Sequence, residues 1–266
     1  MAFLLGLVSN VLANVVFWLG LGAVVWLAAS IARRRFVDFF GLSHDGQITV
    51  HLSNLWDPAS TISPAGYTIS RHEFQVTQSV SRLFGTASMR LPEMARGLID
   101  GLWLRQIPQP DVTISPVDVS QVSIATSSII VGGATRNRAR ALFVDSALPF
   151  IGFDTEERSL RRHSGQKTVS RVQIFRGFRA GEKVDTSLNP AIVEKIYDGT
   201  RGITLFFCLG ARGDTTWAAA EYLVRNWAQL RREFGNREFA LCLGFPAGAS
   251  YLDHYVEPRR LAVVTG

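Results

Sequence analysis

The chain predicts an α/β protein: a mixed, mostly parallel sheet with helices on both faces, preceded by one transmembrane helix. Three observations predict it. Residues 1–32 carry no charged side chain, and a bilayer core of about 30 Å is crossed by about 20 apolar residues in a helix. Beyond residue 46, apolar runs of strand length alternate with amphipathic stretches of helix length, the pattern of strands covered on both faces by helices. Two of those runs end in glycines just ahead of a helix-like stretch, as strands do at the ligand-binding edge of such sheets.

The apolar segment comes first. Ser9, Asn10 and Asn14 are its clear polar interruptions before Ser30. They either sit among the outer headgroups or hydrogen-bond between copies of the helix. Arg33, Arg34 and Arg35 follow at once. An excess of arginine marks the cytoplasmic end of a span, so a single pass through a cell inner membrane is expected, with the N-terminus outside and the rest cytoplasmic. A cleaved signal would place its basic residues before the apolar run; here they come after it. The chain therefore divides into a transmembrane helix (1–32), a juxtamembrane connector (33–46) and a soluble domain (47–266).

The net charge of +6 comes from 28 basic and 22 acidic residues. Three of the basic residues are the juxtamembrane arginines, so the soluble part is only mildly basic. No nucleic-acid-binding motif is present, and no nucleic acid partner is expected. The basic stretch 158–183 reads as a solvated face, with anionic lipid as the alternative. Cys208 and Cys242 lie in apolar strand-like runs and read as core thiols. The five histidines are scattered and no pair has metal-ligand spacing on a helix; no metal or cofactor is expected.

In the soluble part, 47–55 reads as the first strand, with Ile48, Val50 and Leu52 alternating. Residues 70–84 read as a helix opened by the capping box of Ser70 and Glu73. A second helix is expected over 91–104, with Pro92 in its first turn, and a weak strand over 111–117. Residues 127–131 form a short apolar strand running into Gly132, Gly133 and a helix near 135–142. Strands follow at 149–153, 169–175 and 191–197, the last two as a hairpin or edge. Residues 202–209 are the most apolar run of the domain and read as a central strand. The long helix 215–234 carries Ala219, Tyr222, Leu223, Trp227 and Leu230 on its apolar side. Strands at 238–243 and 260–264 complete the sheet.

Two strand–glycine–helix junctions carry the candidate binding residues: Gly132, Gly133, Arg136 and Asn137 at the first, and Gly210, Arg212, Gly213, Asp214 and Thr215 at the second. Glycine lets a ligand approach the backbone, and a helix start offers unpaired N–H groups and the positive end of a dipole. Arg136, Arg138 and Arg140 crowd the first helix start, where cations oppose the dipole unless an anion or nearby acids answer them. Arg212 could reach a phosphate or carboxylate. Either junction is also readable as a plain turn, with Asp214 or Thr215 as a cap. Neither matches a Walker loop or a G-x-G-x-x-G fingerprint. Glu73 is the candidate catalytic carboxylate, expected near the end of the first strand beside Ser53 and Asn54, although the capping box accounts for it equally.

The order of the first strand with Leu52-Ser53-Asn54, the helix with Glu73 and the strand turning at Gly132-Gly133 resembles a group of Rossmann-like nucleotide-sensing and nucleoside-processing domains, the SLOG, TIR and nucleoside deoxyribosyltransferase-like group. The resemblance implies a Rossmann-like domain, a nucleotide-like ligand, a bacterial defence or signalling setting, and a base–sugar cleavage role for the glutamate that matches Glu73. Three functions are therefore expected in turn: a membrane-tethered, homo-oligomeric sensor of a nucleotide-like ligand, a hydrolase or transferase acting on a nucleoside or NAD glycosidic bond, and a non-enzymatic scaffold on the bilayer.

Overall fold

A computed structural model describes residues 2–42, 47–54, 69–87, 108–114, 116, 119–133, 137–143, 150–153, 171–174, 183–185, 188–246 and 255–266. The order is α1 (Ala2–Phe40), β1 (Thr49–Leu52), α2 (Arg71–Ala87), β2 (Asp111–Ile114), β3 (Ser128–Val131), α3 (Arg138–Ala141), β4 (Ile151–Phe153), β5 (Arg171–Ile174), β6 (Lys183–Asp185), β7 (Asn189–Asp198), β8 (Ile203–Gly210), α4 (Gly213–Phe234), β9 (Phe239–Phe245) and β10 (Arg259–Thr265). The helix expected over 91–104 lies outside the described residues.

Seven strands form one mixed sheet in the order β10-β9-β7-β8-β3-β1-β2. β2, β1, β3 and β8 are mutually parallel neighbours. β7 runs against both β8 and β9, and β10 runs against β9. β9 therefore points the same way as β8, and α4 carries the chain between them past β7. The strand expected at 191–197 as a hairpin or edge is an interior strand, buried along nearly all its length. Its apolar run is interrupted by the adjacent Glu194 and Lys195, and those charges weaken the core-strand signal. β4, β5 and β6 make a separate three-stranded antiparallel sheet, which the single-sheet expectation did not include.

Strand alternation divides the core between two faces. One face packs Val50, Leu52, Ile129, Val131, Phe206 and Cys208 against α2, α4 and the end of α1. The other packs Ile130, Phe207 and Leu209 against Ala139 and Phe143. The apolar side expected for α4 is the observed one: Ala219, Tyr222, Leu223 and Leu230 are buried and Trp227 packs against the same cluster. Both cysteines are free and buried, and burial pushes each thiol up to about 12.

α1 is one unbroken helix of 39 residues, about 58 Å long at the α-helical rise. From Val15 to Leu27 its large apolar side chains are exposed, Leu19 at 69%. It is the one described helix long and apolar enough to cross a membrane. The stretch after Arg35, expected as a surface connector, is the last part of this helix, and its apolar side is core. Phe36, Phe39 and Phe40 are fully buried. Phe36 meets Phe84 at 5.0 Å and Trp227 at 5.1 Å between ring centroids, and Phe39 and Phe40 meet Phe206 at 5.4 and 5.2 Å. The helix ends where Gly41 turns to φ +61° and Leu42 N–H donates back to Val37 at 3.1 Å, a glycine-terminated C-cap. Ser127 Oγ donates to the Gly41 carbonyl, and Thr204 N–H donates to Ser127 Oγ at 3.1 Å. A Cβ on Gly41 would lie 2.1 Å from Thr204 Oγ1, so the cap fits only as glycine.

Lys195 is buried on the same face with its ammonium 4.7 Å from the centre of the Phe39 ring. Burial first, then the charge of Arg231, lowers its pKa to about 8, against the pull of Asp38. The unfolded chain therefore holds more protons than the folded one between about pH 8 and 10.5, and stability rises with pH across that window. The rise is on the order of 3 kcal/mol. Lys195→Met is expected to remove it and to be more stable than the parent at neutral pH; denaturant melts from pH 7 to 10.5 check both.

Candidate functional site

β1, β3 and β8 lie side by side and point the same way, so their C-terminal ends share one rim. From β1 the chain goes on to β2 at one edge of the sheet, and from β8 to β9 on the other side. β3 stands between these diverging connections. In open α/β sheets ligands bind outside the strand ends at such a point; residues 55–68 and 134–136, which follow β1 and β3, lie outside the described residues.

The two glycine corners meet there. Gly132 N–H donates to the Cys208 carbonyl at 3.0 Å, two residues ahead of Gly210. A Cβ on Gly132, whose φ is +93°, would sit 2.2 Å from Ser53 Oγ and 3.3 Å from Glu73 Oε1. A Cβ on Gly213 would sit 3.1 Å from His72 Nδ1, so the starts of α2 and α4 touch. Ser53, Glu73, Gly132 and the second corner are thus one neighbourhood, with Asn54 following Ser53 in it. His72 belongs to it as well; a lone histidine in the first turn of a helix gave no signal by spacing. Arg136 lies outside the described residues.

Glu73 stands where the sequence places it, and the capping box is formed. Its N–H donates to Ser70 Oγ at 3.1 Å, and its Oε2 accepts from Ser70 N–H at 3.4 Å. Its Oε1 accepts from Ser53 N–H at 3.3 Å. The side chain therefore ties the start of α2 to the end of β1. Burial raises its pKa above the usual carboxylate value, and the hydrogen bonds from Ser53 and Ser70 oppose that rise. Ser53 Oγ in turn donates to the Val131 carbonyl at 3.2 Å, joining β1 to β3.

Asn137 is fully buried and faces inward. Its Nδ2 donates to the carbonyls of Val131 at 2.6 Å and His51 at 2.9 Å. Its Oδ1 caps α3 by accepting from Ala139 and Arg140 N–H at 3.0 and 3.3 Å. The amide hydrogens at this start are thus answered by Asn137, and α3 has only four residues. Arg140, for which an anion or a nearby acid was expected, is fully buried. Its guanidinium lies 4.4 Å from the Phe207 ring centre, its Nη2 donates to the Ile151 carbonyl at 3.3 Å, and its Nη1 is 3.9 Å from Glu194 Oε2. The acid that answers this arginine is Glu194 of β7, a partner 54 positions further along the chain.

At the second corner Thr215 Oγ1 lies 3.0 Å from both the N–H and the carbonyl of Arg212. Thr215 N–H donates to Asp214 Oδ1 at 2.8 Å. Arg212 is largely exposed and pairs with Asp214 at 3.3 Å. It is the cation this corner offers to solvent. A Cβ on Gly210 would lie 2.2 Å from Thr216 N, which explains glycine there by packing alone. A cavity of about 310 Å³ lies at the other rim, between the end of α1 and the starts of β3 and β8, lined by Asp38, Gly41, Tyr197 and Thr204 among others.

No family model matches the chain, and no curated protein or solved structure matches it significantly. The corner makes its own stability test. Gly132→Ala combines a left-handed φ with a contact no Cβ tolerates, and is expected to cost about 1–3 kcal/mol or more. Gly199→Ala, whose Cβ would meet nothing closer than 3.9 Å, is expected to be near neutral. Urea midpoints of the two variants check the difference.

Proposed function

We propose that this chain is a membrane-anchored sensor whose α/β domain binds a nucleotide-like anion at the rim shared by Ser53, Glu73, Gly132 and the start of α4. The observation that carries this reading is the convergence of both glycine corners and the α2 start on one rim, at the point where the connections of the sheet diverge. Arg212 would meet the phosphate; its own side chain is largely exposed, free to turn from the mostly buried Asp214 towards a ligand. The exposed apolar length of α1 supports insertion into a bilayer, with the domain on the cytoplasmic side of a cell inner membrane. Ligand binding at the rim would change how copies assemble, and the helix would carry that change to the membrane. The nucleotide-sensing group named above supplies the defence or signalling setting.

A hydrolase reading has less support. Both oxygens of Glu73 accept backbone N–H groups, so this carboxylate is occupied as a brace between β1 and α2.

The full chain in detergent is expected to melt higher with a nucleotide or dinucleotide from a broad panel. A ligand at a hundred times its dissociation constant adds about 2.7 kcal/mol. Arg212→Glu is expected to lose that gain while melting like the parent without ligand. If no nucleotide shifts the parent, the reading is wrong.

A further inference from the structure

The ends of α1, α2 and α4 come together at the rim where β3, β8 and β9 begin. Phe36 of α1 touches Phe84 near the end of α2 and Trp227 in the last third of α4, and Phe39 touches Phe206 of β8 and Phe239 at the start of β9. Four arginines stand around this junction: Arg34 and Arg35 on α1, Arg82 on α2 and Arg232 on α4. All four are exposed and none forms an ion pair with a described residue. Most acids of the same rim are already engaged. Asp198 is bound by Arg201, Glu233 by Arg260, and Glu238 accepts from Tyr197 N–H at 2.8 Å. Asp38, exposed one turn beyond Arg34, is an acid of this rim with no ion pair to a described residue and offsets one of these charges. Asp111 stands apart at the start of β2, the edge strand.

Because the helix is continuous into the core, this rim has no hinge of its own, and only a tilt of the whole body changes its distance from whatever surrounds the exposed part of α1. The cations are held next to the apolar helix by packing and not by a linker.

We propose that the strand-start rim of the domain is a docking surface for anionic lipid headgroups, engaged through Arg34, Arg35, Arg82 and Arg232. This rests on the membrane reading of α1 and adds to it a preferred lipid and a fixed attitude of the domain. Anionic headgroups attract such cations within about a Debye length, and salt screens the attraction. The opposite rim, with the glycine corners, then faces the aqueous side, open to a soluble ligand.

The test uses the full chain with a single environment-sensitive dye, placed either at Gly199→Cys in the turn between β7 and β8 or at Pro246→Cys beyond the end of β9. Cys208 and Cys242 are buried and free, so the dye takes the new thiol. The chain is inserted into nanodiscs of phosphatidylcholine alone, or with about a third phosphatidylglycerol, each carrying a headgroup quencher. Quenching at Gly199→Cys is expected to be about twofold stronger in the anionic discs, and the excess to vanish in high salt and in the Arg82→Gln, Arg232→Gln double variant. Quenching at Pro246→Cys is expected to be the same in both. Equal quenching at Gly199→Cys in both discs, with the chain inserted, overturns the lipid inference and leaves the anchor standing. A chain that remains outside both discs overturns the anchor itself.

Discussion

Three phenylalanines at the end of α1 cannot be left in water, and the rest of the structure is arranged around them. Phe36, Phe39 and Phe40 fill the space between the ends of α2 and α4 and the sheet beneath. Truncating a buried phenylalanine to alanine typically costs about 3–5 kcal/mol, so three of them amount to a large share of a stability of about 5–15 kcal/mol. The glycine cap at Gly41 and its links through Ser127 to Thr204 hold the helix end against the strand starts. The domain and its apolar helix therefore form one body. The direction in which the helix leaves decides which rim lies near it and which lies away.

That division gives the glycine corners their meaning. They lie at the far rim, where β1, β3 and β8 end together. The described helix starts there cap themselves, and a ligand of the kind proposed would have to compete with those caps. Asn137, Thr215 and the Ser70–Glu73 box satisfy much of the described polar backbone internally. A ligand would have to draw the exposed Arg212 away from Asp214, a single contact at 3.3 Å. A buried group such as Asn137, which makes four hydrogen bonds inward, would not be displaced.

Much of this was legible in the sequence because it depends on local pattern. The capping box placed α2 to within a residue at its start, the apolar run from Gly202 placed β8, and the periodic side of α4 gave its buried residues. The meeting of the corners was not legible in this way: it depends on β3 and β8 being parallel neighbours, which the strand pairing supplies. What could not be read depends on partners distant in sequence. Glu194 and Arg140 look like surface charges until β7 brings one beneath the other. Lys195 looks like a strand-edge residue until Phe39, 156 positions earlier, covers it. Residues 36–40 look like an interfacial connector because three phenylalanines beside three arginines suit a membrane surface as well as a core; only the aromatic partners from α2, α4 and β8 decide between them.

The central claim is that the apolar helix enters the core without a flexible joint, and backbone hydrogen exchange reads this directly. In the full chain held in a bilayer disc, the amides of residues 36–40 lie in a helix whose apolar side is core, outside the protection of the lipid. They are expected to exchange only through global unfolding, as slowly as residues 205–209 in the centre of β8 and with the same sensitivity to added denaturant. Exchange of residues 36–40 many times faster than β8, with no dependence on denaturant, would mean a joint that opens on its own, and the fixed attitude of the domain would be contradicted.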